Sequence, residues 1–537
     1  MNKPVSFLFL LFISLNVFSQ ASPAAVHGWH LMDQKKDGYT GISLNEAYQL
    51  LKGRPNHTVI VAVIDSGIDT LHEDLKDVLW TNPKEIPGNG IDDDHNGYID
   101  DVHGWNFDGA PNGENLARNS HEVERVYHNW KSTFAGKKEK DIPASQKFLF
   151  SQWQRAVTII NRDYDQAMKD QTQVADFFSV LDKTNVIICR ALSTTSFNLT
   201  AIRPLVQDTR EMVAPAAQVW IDVLSHANDT TANSAQVLKE VGDYKANIDT
   251  RIMVKMKAPE DWRGELIHDR YTDINDRFYG NNNLKAGSGN HGTGVAGVIG
   301  AVRGNGIGID GIADNVRIMA VRAVPGGDEH DKDVALAIRY AVDNGARVIN
   351  MSFGKPVSPY KQFVDDAIRY AASKGVLLVH ASGNDGADLE KENFYPSPFF
   401  LDGTRATNLI TVSASGDGFT SGYAASFSNY SRNWVDIFAP GVAIYTTATN
   451  NQYESADGTS LASPVVTGVA ALLRSYFPKL TPQQVIHIID ASGTPIKTDV
   501  VLPGHPNELK PFPTLSSSGR IINAYEAVKM AIAEERL

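Results

Sequence analysis

The sequence predicts an α/β fold with a mostly parallel sheet, because unbroken apolar runs alternate with helices built from small residues. Val59 to Ile64 is a continuous apolar run of strand length, the pattern of a strand buried on both faces, and Arg347 to Ser352 and Val376 to Ala381, mainly apolar with polar interruptions, read as two more strands. Gly289 to Ala301 and Gly458 to Leu473 each leave a turn and continue as small or apolar residues, which lets a helix pack closely under its neighbours. The first and the last of these strands run into polar turns, and a carboxylate at the end of such a strand lies at the C-terminal edge where open α/β sheets bind their ligands.

In chain order, residues 1–20 read as a signal peptide, with Lys3 as the charged region, Val5 to Val17 as the apolar region and small residues from Ser19 to Ala21. That apolar run is too short for a membrane span, so export with a cleaved signal and no transmembrane segment is expected. A short polar stretch follows, with one helical pattern from Ser43 to Leu51. The Val59 strand runs into Asp65-Ser66-Gly67-Ile68-Asp69, which puts a carboxylate at the sheet edge. Gly90 to Asp101 alternates oxygen-bearing side chains before a glycine turn, like the first half of a calcium loop. Its ligands would be Asp92, Asp94, Asn96 and the Tyr98 carbonyl, with Asp100 or Asp101 closing the shell, since His103 stands where the usual glutamate would be.

The segment from about Gly109 to Asn283 separates the Asp65 turn from the next glycine-rich box and is no linker. Val157, Ile160, Tyr164, Ala167, Gln171, Val174, Phe178 and Leu181 step by three and four, a helical seam with one polar interruption. Continuous from Val157 to Leu181, it would run about 36 Å. Patterns at Met212 to Leu224 and Ala235 to Ile248 supply partners, so 109–283 is read as an inserted, mainly α-helical subdomain, either a surface elaboration or a lid or docking module.

Chemistry concentrates in three boxes. In Gly458-Thr459-Ser460-Leu461-Ala462-Ser463-Pro464 a serine stands where a loop becomes a helix, so unpaired backbone N–H groups and the helix dipole favour negative charge developing on its hydroxyl. Pro464 is expected in the first turn, setting where that helix begins. His291, in Gly289-Asn290-His291-Gly292-Thr293-Gly294, is placed in a first helical turn facing the same edge as Asp65. Serine catalysis needs these three types: a nucleophile, a base to take its proton, and a buried carboxylate to hold that base in one tautomer.

Together the boxes resemble the Asp, His and Ser signatures of the subtilisin-like serine peptidases, the subtilases, and they occur in that family's order. The resemblance implies Asp65 as orienter, His291 as general base and then acid, and Ser460 as nucleophile. Ala381-Ser382-Gly383-Asn384-Asp385 is similar to the family segment whose asparagine donates to the oxyanion, which implies that role for Asn384 beside the Ser460 backbone N–H. Ser352-Phe353-Gly354 is similar to the family strand that pairs with an extended substrate. Ala381, Ser382 and Gly383 would form one wall of the pocket for the residue preceding the scissile bond (P1), and their small size is expected to admit a large side chain. Asp74 and Asn305 are similar to residues of the family's structural calcium site.

The resemblance further implies a three-layer subtilisin-like fold over 42–108 and 284–537. It implies a secreted endopeptidase that acts on protein or peptide substrates through an acyl-enzyme, with structural calcium and no cofactor for the chemistry. Two departures stand out: the large insertion, and a short stretch before Val59 where secreted members carry a longer inhibitory prodomain. A non-catalytic peptide-binding module on the same fold is the competing reading, and loss of one of the three boxes would be its mark. Gly287, Gly289 and Gly292 match the dinucleotide-binding pattern G-x-G-x-x-G, but Asn281 to Ala286 before them is no buried strand. Asp65-Ser66-Gly67 has no second copy to complete an aspartic peptidase dyad.

Composition agrees. The 537 residues are 42% hydrophobic and 21% charged, ample for a globular core. With 62 acids against 50 bases the net charge is −12, and no basic tract appears, which argues against a nucleic-acid partner. The lone Cys189 cannot form an intramolecular disulfide, so stability must come from packing or metal.

Overall fold

In this computed structural model, residues 26–226 and 231–535 are described. The segment read as a signal peptide, 1–20, lies outside the described residues.

The strands are β1 (Val59–Asp65), β2 (Gly104–Asn106), β3 (Val316–Arg322), β4 (Val348–Met351), β5 (Leu377–Ala381), β6 (Leu409–Ser415), β7 (Ile437–Pro440), β8 (Ile444–Ala448), β9 (Gln452–Ala456), β10 (Thr494–Pro495), β11 (Asp499–Leu502), β12 (His505–Pro511) and β13 (Arg520–Ile521). The principal helices are α1 (Leu44–Leu51), α2 (Lys147–Leu192), α3 (Val213–Ser225), α4 (Ser234–Met256), α5 (Asn290–Gly300), α6 (Asp331–Asp343), α7 (Lys361–Ser373), α8 (Thr459–Tyr476), α9 (Pro482–Ser492) and α10 (Ala524–Glu534).

The chain divides into two compact units. Among the described residues, the larger holds 26–126, 136–152 and 260–535, and the smaller 127–135 and 153–259. The insertion delimited from the sequence, 109–283, therefore contains segments that fold with the sheet. The cause is local pairing: Asn106 and Asn281 form an antiparallel bridge, Asn281 Nδ2 donates to the Ala110 carbonyl at 3.0 Å, and Trp105 Nε1 donates to the Tyr279 carbonyl at 2.9 Å.

In the larger unit nine strands form one sheet in the order β10-β13-β7-β6-β5-β4-β1-β3-β2. Every neighbouring pair is parallel except β10 with β13. Alternation along β1 divides its side chains between two cores. Val59, Val61 and Val63 pack with α1, α5, α8, α9 and α10, whereas Ala62 and Ile64 pack with α6 and α7. Both faces are covered, which is why the strands read as continuous apolar runs, and the outcome is a three-layer α/β architecture. No strand runs directly into Gly287, only an isolated bridge at Asn281 standing before it, so a dinucleotide site has no scaffold there.

The smaller unit is helical. The α2 helix runs 46 residues and so extends well past both ends of the seam read from the sequence. Ala167, Val174 and Leu181 are buried there together with Trp220 of α3 and Val241 and Ile248 of α4. Phe177 rather than Phe178 is the buried member of its pair. The polar interruption has a partner, because Gln171 Nε2 donates to Asp249 Oδ1 of α4 at 3.0 Å. No helix among the described residues is long and apolar enough to cross a membrane.

Candidate active site

Asp65 is the last residue of β1 and is 2% exposed. His291 is the second residue of α5, and its Nδ1–H donates to Asp65 Oδ1 at 2.8 Å. The Ser66 backbone N–H donates to the same oxygen at 2.7 Å, while Asp65 Oδ2 is buried without a partner. A hydrogen bond at Nδ1 makes Nε2 the acceptor nitrogen of the neutral ring. The Asp65 carboxylate raises the His291 pKa above the ordinary imidazole value, an effect that outweighs the opposing cost of burial.

Close backbone approach makes this pairing feasible. A Cβ on Gly292 would collide with the Gly67 carbonyl and lie 3.0 Å from Asp65 Cβ, so only glycine after His291 lets α5 seat against the β1 turn. Thr293 locks the arrangement: its hydroxyl donates to the Gly289 carbonyl at 2.7 Å and accepts the Asp69 N–H at 2.9 Å. Behind it, the Thr446 and Thr447 hydroxyls donate to the Gly294 and Thr293 carbonyls at 2.6 and 2.7 Å.

Ser460 is likewise the second residue of its helix, α8, which packs against α5 and lies over β4 to β7. Gly458 precedes it at φ 152°, where a Cβ would stand 2.8 Å from Ser460 Oγ and 3.6 Å from Asn384 Nδ2. The serine hydroxyl and the Asn384 amide thus flank one point. Asn384 is oriented by Thr459, whose N–H and Oγ1 both donate to Asn384 Oδ1 at 2.9 Å, leaving Nδ2 as the outward donor. Ser460 Oγ and His291 form no hydrogen bond in this structure; in ligand-free serine hydrolases that contact is commonly long and closes on substrate.

Pro464 corrects one expectation. The helix starts at Thr459, so the proline sits in the second turn and not the first. Lacking an N–H, it cannot bond the Ser460 carbonyl four residues back. That carbonyl instead accepts the Ser352 hydroxyl at 2.8 Å, which ties the start of α8 to the end of β4. Asn350 organises the joint: Nδ2 donates to Ser352 Oγ at 2.9 Å, and Oδ1 accepts Ser463 Oγ at 2.9 Å and Thr467 Oγ1 at 2.8 Å. A polar residue inside the buried Val348–Met351 strand was the sequence signal for such a hub, since buried amides require partners.

The residues expected to bind substrate divide. Phe353 and Gly354 are partly exposed beyond β4, and Ala381 ends β5. Ser352 faces Ser460, and Ser382 faces the interior, bonded to Ser413 Oγ at 2.9 Å. Gly383 spends its N–H on Thr459 Oγ1 at 3.1 Å.

Of the calcium-loop residues, Asp92 and Asp94 converge with Glu85, their nearest carboxylate oxygens lying within 4.8 Å of one another. Glu85 lies before the loop pattern and escaped the sequence reading. Its Oε2 is buried without a partner, and burial raises its pKa. Asn96 sits at the same pair of aspartates, its N–H donating to Asp92 Oδ1 and Asp94 Oδ1 at 3.1 Å each and its Nδ2 to Asp101 Oδ2 at 3.1 Å; Asp101 also accepts Tyr340 OH at 2.6 Å and Asn82 Nδ2 at 2.8 Å, and burial pushes its pKa up to about 6. Tyr98 is buried against Trp105 and Tyr340. Asp74 and Asn305 do meet, as donor and acceptor: Asn305 Nδ2 donates to Asp74 Oδ1 at 2.8 Å and the Ile309 N–H to Oδ2 at 3.1 Å.

Comparison with known proteins shows the family. The family described as the subtilase family matches residues 56–497. A thermophilic serine proteinase of Bacillus sp. (strain AK1) is 44% identical over 187 residues, covering 35% of this chain and 43% of the relative. Subtilisin DY of Bacillus licheniformis is 36% identical over 208 residues, covering 38% of this chain and 70% of the relative. The chain thus spans about half the length of several curated relatives it matches. A crystal structure of a cold adapted subtilisin-like serine proteinase aligns with 29% identity and a TM-score of 0.35, covering 44% of this chain and 74% of that one. With its parallel sheet, its Asp65–His291 pair and a family match over most of its length, the chain belongs to the subtilase family.

Proposed function

We propose that the chain is a serine endopeptidase that hydrolyses peptide bonds in proteins or peptides through an acyl-enzyme. The observation that carries this reading is the 2.8 Å bond from His291 Nδ1 to buried Asp65, on the sheet edge that also bears Ser460 and Asn384. Asp65 holds the ring with Nε2 as acceptor and stabilises the imidazolium that forms when Ser460 gives up its proton. Ser460 Oγ attacks the substrate carbonyl, whose oxygen becomes an oxyanion received by the Asn384 Nδ2–H and the Ser460 N–H. His291 then protonates the departing amine, and a water activated by the same nitrogen releases the acyl group. The segment 352–354 offers its backbone to an extended peptide.

Glu85, Asp92 and Asp94 fit a structural calcium ion, an oxygen-only donor set in which the orphaned Glu85 oxygen would gain a partner. Such an ion would brace the loop between β1 and β2 and takes no part in the reaction. Secretion through the N-terminal segment, with its charged start and apolar run, completes the reading.

A fluorophosphonate probe tests the reading. Wild-type protein is expected to be labelled and Ser460→Ala not; an unlabelled wild type overturns it in favour of a non-catalytic peptide-binding module.

A further inference from the structure

The small residues at 381–383 promised a roomy P1 pocket, yet a side chain from eleven residues further on occupies the space. Segments 352–354 and 381–383 leave neighbouring parallel strands β4 and β5, and both are tied to the start of α8, through Ser352 to the Ser460 carbonyl and through the Gly383 N–H to Thr459. The crevice between them therefore opens at the nucleophile. In the peptidase reading, a residue whose carbonyl carbon meets Ser460 Oγ would direct its side chain into that crevice. The Phe394 ring lies across it: a Cβ on Gly354 would fall against Cε1 and Cζ of Phe394, and one on Gly383 would stand 3.0 Å from Cε2 and Cζ. One ring thus touches both walls at the positions where each lacks a side chain.

The ring is held there. Its neighbour Tyr395 forms a two-bond bridge with Lys355, N to O 3.1 and 2.9 Å, and the Lys355 ammonium is anchored between Glu122 and Asp331 at 2.8 and 2.9 Å. The Phe394 ring stacks on His380 with centroids 5.8 Å apart and planes at 28°, and His380 Nε2 is itself bonded to the Phe353 carbonyl at 2.8 Å. Phe394 remains partly exposed, so it forms a surface that substrate would meet.

We propose that Phe394 is the specificity-determining floor of the P1 crevice and limits the P1 residue to small side chains, alanine or glycine in preference to aromatic or long aliphatic ones. The inference rests on the serine peptidase reading and adds its substrate class. A second aromatic ring cannot enter without displacing the first, and a close-packed wall resists such displacement. Misfits of even one methylene change kcat/KM by roughly 10–200-fold.

The test is a set of chromogenic peptides that differ only at P1 (Ala, Val, Leu, Phe), assayed with wild type, Phe394→Leu and Phe394→Ala, with fluorophosphonate titration giving the active fraction of each. Wild type is expected to favour Ala over Phe by at least about tenfold in kcat/KM, with Phe394→Ala moving that ratio about 100-fold or more towards Phe and Phe394→Leu moving it part of the way. Should Phe394→Ala fail to fold, the wild-type ratio and Phe394→Leu decide. A labelled wild type that cleaves after Phe as well as after Ala, or a ratio unmoved by either substitution, overturns the inference while leaving the peptidase reading intact. Absence of both labelling and hydrolysis in wild type overturns both.

Discussion

Asn350→Ala removes the amide that joins β4 to α8, and its cost can be worked from the structure. The side chain is fully buried and makes three hydrogen bonds of 2.8–2.9 Å, to Ser352, Ser463 and Thr467. A net 0.5–1.5 kcal/mol for each such bond, with the higher end for hydroxyls left stranded, puts the loss at about 2–5 kcal/mol. Ser463 and Thr467 can turn back to helix carbonyls, which keeps the figure from rising further. Ser352, no longer oriented by Asn350, releases the Ser460 carbonyl that Pro464 leaves without a helical partner. Nucleophile placement then loosens, and a shift of about 1 Å costs on the order of 100-fold in rate. Because the chain has two units, a spectroscopic melt mixes their transitions. Residual fluorophosphonate labelling after equilibration in urea reports the unit bearing Ser460 alone. The variant is expected to show a lower urea midpoint and a slower initial labelling rate without urea. A stability change under about 0.5 kcal/mol with wild-type labelling would refute the role given to Asn350.

Asn384→Ala is expected to lower kcat by about 10²–10³ with little change in KM, since Nδ2 acts on charge that develops only in the transition state; a change confined to KM would contradict this. Activity requires neutral His291, whose pKa Asp65 raises, so kcat/KM should fall on acidification through a pKa above the ordinary imidazole value of about 6.5. Asp65→Asn removes that charge, and its pH–rate profile should show the acid limb moved down while the maximal rate drops on the order of 10⁴-fold. Calcium at about 100 times its dissociation constant should stabilise the sheet-bearing unit by about 2.7 kcal/mol, read as a higher urea midpoint, and Glu85→Gln should abolish most of that response.

Much of the fold and the core of the site were legible from local pattern. Val59 to Asp65 reads as a strand buried on both faces because every residue in it is apolar until the carboxylate, and it forms an interior strand of the sheet, between β4 and β3. The sequence put His291 in the first turn of its helix and Ser460 at the start of its own, and the structure makes each the second helical residue. Other features were illegible because they are contacts between segments distant in sequence. Glu85 stands outside the alternating loop yet meets Asp92 and Asp94, and Asp101, within the loop pattern, accepts the hydroxyl of Tyr340, far along the chain.

The sequence by itself determined the α/β class and the identity of Asp65, His291 and Ser460, because strand burial, helix starts and residue chemistry are encoded within a few neighbouring positions. The tertiary structure alone decided what surrounds them. Pro464 looks like a helix-start marker until the carbonyl it leaves open is seen bonded to Ser352. The glycines at 354 and 383 look like room for a large side chain until the Phe394 ring is found between them. Space and hydrogen-bond demand are properties of a neighbourhood, and sheet order brings together residues whose separation along the chain carries no trace of their contact.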